Sequence, residues 1–284
     1  MQVKNTINNA GVEFLLDGNI PFAENSFREA IKLNSKDSSA YNNLAFLLQQ
    51  KGDLPGAENA ARKSVRINPQ SSSAWLNLGN ILVQKGNAEE GTQCITKAIE
   101  KNKHNAFAWE SLATVAMLQQ DYFSAEQCWQ NVISISPNTP NHWIQLSLVK
   151  TGLQKKEEAV DCLHKALDID SNNSFAWTQL GILEFARNNF GIAEKALMNS
   201  LALAPDDENT RYHLALIFLA QNNIDKARKE FDHIILLNPT NVKVITERGV
   251  LDLGTGNKEK AFEFFRTALK IAPSYQKALS YLKQ

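Results

Sequence analysis

Every 34 residues the chain repeats its own pattern, and few folds can accept a chain with such a period. The stretch Trp75-Leu76-Asn77-Leu78-Gly79 returns in phase as Trp109…Leu112-Ala113, Trp143…Leu146-Ser147 and Trp177…Leu180-Gly181. With Ser72 as position 1 of a unit, eight frames follow one another without insertion: 4–37, 38–71, 72–105, 106–139, 140–173, 174–207, 208–241 and 242–275. Residues 1–3 are left as an N-terminal tail, and 276–284 continue in phase as a partial capping helix. A fixed period in the 20–50 range marks a repeat array, in which each unit packs only on its neighbours. It overrides the two-domain expectation that 284 residues would otherwise carry.

Within a unit the apolar spacing describes two helices. In the third unit these are expected at about Ser72–Lys85 and Ala88–Asn102, with Trp75, Leu78, Ile81 and Leu82 on one face. Gly86-Asn87 breaks the chain between them, as a left-handed helix end requires. Pro21 and Pro55 fall at the start of second helices and Pro140 at the start of a first helix, where a missing N–H costs nothing. Position 8 is always small (Gly11, Ala45, Gly79, Ala113, Ser147, Gly181, Ala215, Gly249), and position 20 is Ala or Gly throughout. These two positions are expected to face each other where the paired helices come closest. The tryptophans at position 4 and the aromatics at position 24 (Phe27, Trp129, Phe231, Phe265) are expected to fill the core between units. Position 32 is Pro in five units: Pro69, Pro137, Pro205, Pro239 and Pro273.

Trp-x-x-Leu-Gly followed by Ala, an aromatic and Pro resembles the tetratricopeptide repeat (TPR). The resemblance covers nearly the whole chain. It implies an all-α, right-handed superhelical solenoid of antiparallel helix pairs. It also implies a concave face lined by the first helices, with partner contacts at positions 2, 5, 6, 9, 12 and 13. In the first three units those positions are polar: Asn9, Asn43 and Asn77 at position 6, with Asn8, Asn42, Asn80, Ser39, Ser73, Gln49, Gln50 and Gln84 around them. An amide offers two donors and an acceptor, so a row of them suits the backbone of an extended peptide. This row is similar to the asparagine ladder in the TPR arm of O-linked N-acetylglucosamine transferases, but it stops after the third unit, where position 6 becomes Ser111, Gln145, Gln179, His213 and Glu247. The carboxylate clamp of chaperone-binding TPR proteins is not matched. Its five positions here hold Asn8, Val12, Asn43, Ser73 and Asn77, with no cation.

Units four to seven present apolar side chains at the same positions. Phe107, Met117, Phe175, Phe185 and Tyr212 are the candidates there, beside Leu118, Ile144, Leu148, Ile182, Leu216 and Leu219. A contiguous exposed patch of this kind marks an interaction site. Self-association and plain packing between units are the alternatives.

Composition excludes several classes. Thirty basic residues balance thirty acidic ones, so there is no electrostatic footprint for nucleic acid. No apolar run reaches the roughly 18 residues of a membrane span, and Met1-Gln2-Val3-Lys4 opens no apolar signal segment, so a cytoplasmic location is expected. Cys94, Cys128 and Cys162 recur at position 23 of successive units. Equivalent points on packed helices lie about 8–10 Å apart, beyond the roughly 7 Å a disulfide spans. The five histidines occupy five repeat positions and no phosphate loop or His-Glu-x-x-His pair occurs. Asp168-x-Asp170-x-Asn172 lacks the later Gly and Glu of a calcium loop. No catalytic residue, metal or cofactor is implied. The expected function is a non-enzymatic scaffold that binds a protein or peptide in its concave groove. A substrate-recruiting arm of a larger enzyme, such as a glycosyltransferase, and a self-assembling array remain the alternatives.

Overall fold

The computed structural model describes residues 2–282, with side chains from Thr6 onward. Among them are seventeen helices and no strand. The first helix of each pair is α1 (Gln2–Leu16), α3 (Ser38–Gln50), α5 (Ser72–Gln84), α7 (Ala106–Leu118), α9 (Pro140–Gly152), α11 (Ser174–Ala186), α13 (Glu208–Ala220) and α15 (Val242–Gly254). The second helices are α2 (Ile20–Leu33), α4 (Leu54–Ile67), α6 (Ala88–Lys101), α8 (Tyr122–Ile135), α10 (Lys156–Ile169), α12 (Phe190–Leu203), α14 (Ile224–Leu237) and α16 (Lys258–Ile271). A final short helix, α17 (Gln276–Leu282), follows. Seven of the first helices begin on the first residue of a sequence frame. The exception is α1, which takes in residues 2–3 that the frame leaves as a tail.

Local chemistry explains these boundaries. Asp37, Ser71, Asn105, Asn173, Asp207 and Asn241 each precede a first helix and accept a hydrogen bond from the backbone N–H three residues on. That satisfies a donor the helix leaves orphaned. Each first helix ends in a turn whose second residue is left-handed. Gly18, Gly52, Gly86 and Gly256 take that place in four units, and Gln120, Gln154, Asn188 and Asn222 take it in the others, at φ of 58–63°.

The chain forms two compact bodies, Met1–Leu153 with α1–α9 and Gln154–Gln284 with α10–α17. In each, a helix packs on its partner and on the next pair. First helices of successive pairs also touch one another, α1 with α3, α3 with α5, α5 with α7 and α11 with α13. No comparable contact joins successive second helices among the described residues. The first helices therefore line the inner side of the curve in each body.

The pairing depends on small residues where backbones meet. A Cβ on Gly79 would lie 2.6 Å from Ile95 Cγ1 and 2.8 Å from the Gly91 carbonyl oxygen. A Cβ on Gly91 would in turn lie 2.9 Å from the Gly79 oxygen. Positions 8 and 20 thus face each other as expected. The aromatics at position 24 fill the space between pairs, with Phe27, Phe231 and Phe265 fully buried and Trp129 nearly so. Each such side chain contributes about 1.5–3 kcal/mol on burial.

The tryptophans at position 4 depart from the expectation of pure core. Trp75, Trp109, Trp143 and Trp177 are half-buried, and their indole N–H groups donate to the carbonyls of Pro69, Lys103, Pro137 and Ser171. Each ring covers the core on one edge while its nitrogen ties down the turn six residues back. Arg211 replaces Trp in the next unit and its Nε makes the same bond, to Pro205.

Candidate partner-binding groove

The inner side of the first body is assembled from α3, α5 and α7. Neither α3 nor α5 contains a charged residue, and α7 contains one, Glu110. Glu110 is engaged by His142, whose Nε2 lies 3.1 Å from its Oε1. Across these three helices Glu110 is the one charged residue, and the rest of the polar surface is amide and hydroxyl.

The amide row is wired to itself. Asn43 Nδ2 donates to Asn8 Oδ1 at 3.0 Å, and Asn77 Nδ2 donates to Asn42 Oδ1 at 2.9 Å. Gln49 Nε2 donates to Gln84 Oε1 at 2.9 Å. All three bonds span 35 residues, one unit plus one, so position 6 of a unit grips position 5 of the unit before it. Each of Asn43 and Asn77 spends one amide hydrogen this way and keeps its second hydrogen and its Oδ1 for a ligand. Asn8 is buried, while Asn9 is exposed and Asn42, Asn43, Asn77 and Asn80 are half-buried.

Sequence reasoning divided the groove at the third unit, into a polar part and an apolar part. The structure joins them. A hollow of about 450 Å³ is bounded by Gln49 of α3, by Asn80, Val83 and Gln84 of α5, and by Phe107, Glu110, Ser111, Thr114, Val115 and Leu118 of α7, with Glu110 its one charged member. Phe107 and Leu118 stand at opposite ends of α7, 69% and 74% exposed, with the amides between them. A hollow of about 480 Å³ at the start of α2 lies off this side, against the Glu24, Arg28 and Lys51 ion pairs.

The remaining candidates separate by exposure. Met117 is half-buried, and Phe175, in the second body, is 51% exposed. Phe185 and Tyr212 are half-buried and pack in part against the core of the second body, with Phe185 5.8 Å from the Phe190 ring and Tyr212 6.2 Å from the Phe231 ring. Lys243 Nζ sits 3.8 Å over the Tyr212 ring centre. Burial, then the charge of Lys243, pushes the His213 imidazole below its usual value.

The 35-residue spacing of Asn8 with Asn43, Asn42 with Asn77, and Gln49 with Gln84 was the available signal for the interlocked amides. Alternation of position alone did not show it. Cys94, Cys128 and Cys162 are buried thiols rather than disulfides, and burial pushes the Cys128 thiol up to about 11. Among the described residues no group of three or more His, Cys, Asp or Glu could hold a metal ion, and no helix is long and apolar enough to cross a membrane.

Helix pairs of this length and register, with an inner side built from first helices, define an all-α superhelical solenoid of tetratricopeptide repeats. The chain belongs to the family described as the cilia and flagella-associated protein 70 C-terminal domain, which it matches over residues 62–238, more than half its length. Two further tetratricopeptide repeat families match residues 26–59 and 243–275. The C-terminal part of a TPR repeat-containing protein from Cytophaga hutchinsonii superposes with a TM-score of 0.70 at 16% identity, covering 84% of this chain and 97% of that one. PilW, a widely conserved type IV pilus biogenesis factor, gives 0.64 at 19% identity over 74% of this chain and 98% of its own. A chain of the APC/C hetero-tetramer Cut9–Hcn1 gives 0.59 at 15% identity over 93% of this chain, which spans about half (52%) of that one. At these identities the likeness is one of fold. No curated protein sequence matches the chain.

Proposed function

We infer that the chain is a non-enzymatic interaction scaffold that holds a protein or peptide segment along the inner side of its first body. TPR folds generally mediate protein–protein interaction, and the family is generally non-catalytic. The observation that carries the finer reading is the hollow beside α7. Two large apolar side chains stand exposed at its ends, and uncharged amides with spare donors and acceptors lie between them. Exposed apolar surface of this kind is covered by a partner, and the amides can hold that partner's backbone. Three cysteines kept as thiols accord with a reducing compartment, and on that ground the chain is read as cytoplasmic.

The test is affinity capture from the source organism, read by mass spectrometry, with wild type beside Phe107→Ala/Leu118→Ala and Asn43→Ala/Asn77→Ala. Loss of the same partner from both pairs is the expected result. Retention of every partner by both variants refutes the reading.

A further inference from the structure

The second helices of the second body carry a face that groove binding does not use. On α12 the outward face carries Ile192, Lys195, Met198, Asn199, Ala202 and Leu203, with Lys195 and Asn199 its polar members. Ile192 and Met198 are 54% and 56% exposed. At the places of Ile192, Lys195 and Met198, α6 has Glu90, Gln93 and Thr96 and α8 has Ser124, Gln127 and Gln130, whereas α2 has the exposed Phe22 at the place of Ile192 and α8 has Ile135 at the place of Leu203.

The neighbours of α12 flank this row with opposite charge. At the height of Ile192 and Lys195, α10 presents Glu158 and Asp161 and α14 presents Lys226 and Lys229, all exposed. Towards the helix ends the charges give way to Ile169, Leu203, Leu236 and Leu237, also exposed. The surface runs from acidic to apolar to basic across the helices, and from charged to apolar along them.

Such a surface complements a copy of itself under one symmetry. A two-fold axis parallel to α12 lays α12 beside its copy in the same direction. It sets acidic α10 over basic α14 and apolar ends over apolar ends. A two-fold axis across the helices sets α10 on α10, with Glu158 towards Asp168 and apolar ends on charged ones. Like charges brought together are costly, whereas opposed ones steer and orient the encounter. An isologous interface needs self-complementarity of this kind, with its centre poor in charge. The same axis sets Lys195 against its own copy, and there the long stem of each can carry its ammonium towards the rim. We propose that this face is the interface of a two-fold homodimer in which the α12 helices run parallel, its occupant a second copy of this chain.

Sedimentation equilibrium of the full chain at about 100 μM is the first test, a range suited to a weak, specific dimer. The expected result is a dimer whose dissociation constant rises at least about tenfold in Met198→Glu, with the helical circular dichroism unchanged. Lys226→Glu/Lys229→Glu is expected to weaken the dimer, and adding Glu158→Lys/Asp161→Lys to restore it. Oxidised Ile192→Cys is expected to cross-link, because the parallel axis brings residue 192 onto its own copy. The crossed axis leaves it roughly 16 Å away, the eleven-residue rise to Leu203. A chain that stays monomeric at that concentration overturns the proposal and leaves the row to another partner. A dimer indifferent to Met198→Glu, or one whose Ile192→Cys form does not cross-link, overturns it as well. Phe107→Ala/Leu118→Ala lies in the other body and is expected to leave the dimer intact, so failure here is distinct from failure of the groove reading.

Discussion

The two bodies share one helical frame and spend it differently. In the first, ion pairs run along the second helices of the opening units. Glu24 joins Arg28 to Lys51 of the next unit, and Glu58 joins Arg62 to Lys85 in the same way. The inner helices α3 and α5 are left uncharged, and amides link them. Buried charge comes at the far end of that body, where Lys150 of α9 pairs with Glu126 of α8. The second body carries a buried pair within a single first helix. Arg248 and Asp252 of α15 are buried together, and Arg248 Nε also reaches Asp232 at 2.6 Å. Lys277 pairs with Glu247 at 2.6 Å, and the apolar surface appears outside, on α12. Close packing holds the buried positions, among them 3, 8, 10, 20, 24 and 27 of the unit. The exposed faces of the pair are freer, and that freedom lets one repeat array present two kinds of surface.

The largest effect is expected at the buried ions of α15. Arg248→Ala leaves Asp252, which is 1% exposed, with the more distant Arg228 guanidinium, 3.7 Å away. The expected loss is about 3–5 kcal/mol, the usual cost of removing one partner of a buried pair, measured by urea unfolding. The first body has Leu44 with Leu48 and Leu78 with Leu82 at the corresponding positions. Arg248→Leu/Asp252→Leu imports that arrangement and is expected to be no less stable than wild type. If the double variant is as damaged as Arg248→Ala, the second body needs its ions for more than packing.

A smaller effect is expected at the amides. Asn77→Ala removes the bond to Asn42 and should cost about 1 kcal/mol. Faster hydrogen exchange confined to α3 and α5 would locate it. The turns give a gain of similar or smaller size. Gln120 sits at φ 60° where the first three units use glycine, and left-handed backbone disfavours any residue with a Cβ. Gln120→Gly is expected to stabilise by about 0.5–1 kcal/mol, since the entropy of glycine offsets part of the relief. Gly52→Gln should do the reverse, both read as shifts of the thermal midpoint.

The smallest effect concerns acid. His213 is held below its ordinary value of 6.5 by burial and Lys243, so its folded form binds protons less readily than its unfolded form. Its contribution is present above 6.5 and is lost as pH falls through its lower, folded value. The Glu58 carboxyl is lowered from 4.5 by hydrogen bonds from Lys85 and Arg62, and its contribution is lost in a more acidic window. The second body should therefore loosen first on acidification. Hydrogen exchange at about pH 5.5, between the two ordinary values, should show this, and His213→Asn should reduce it.

The 34-residue period, the helix boundaries within a residue or so, the close approach at positions 8 and 20 and the buried aromatics at 24 were all legible in the sequence. Each follows from local rules: helical spacing, cap residues at a helix start, glycine at a left-handed turn, and the small space between paired backbones. The tertiary structure decided what those rules do not reach. It set the indole of each position-4 tryptophan on the preceding turn. It joined Asn43 to Asn8 and Asn77 to Asn42, a stagger of one residue past the repeat that arises from how one pair is rotated on the next. It set Phe185 and Tyr212 partly against the core while leaving Phe107, Leu118 and Phe175 exposed, although all five are large, apolar or aromatic, and occupy positions that face inward in the family. Helical periodicity says which way a side chain points. Only the packing of neighbouring pairs determines whether something is there to meet it.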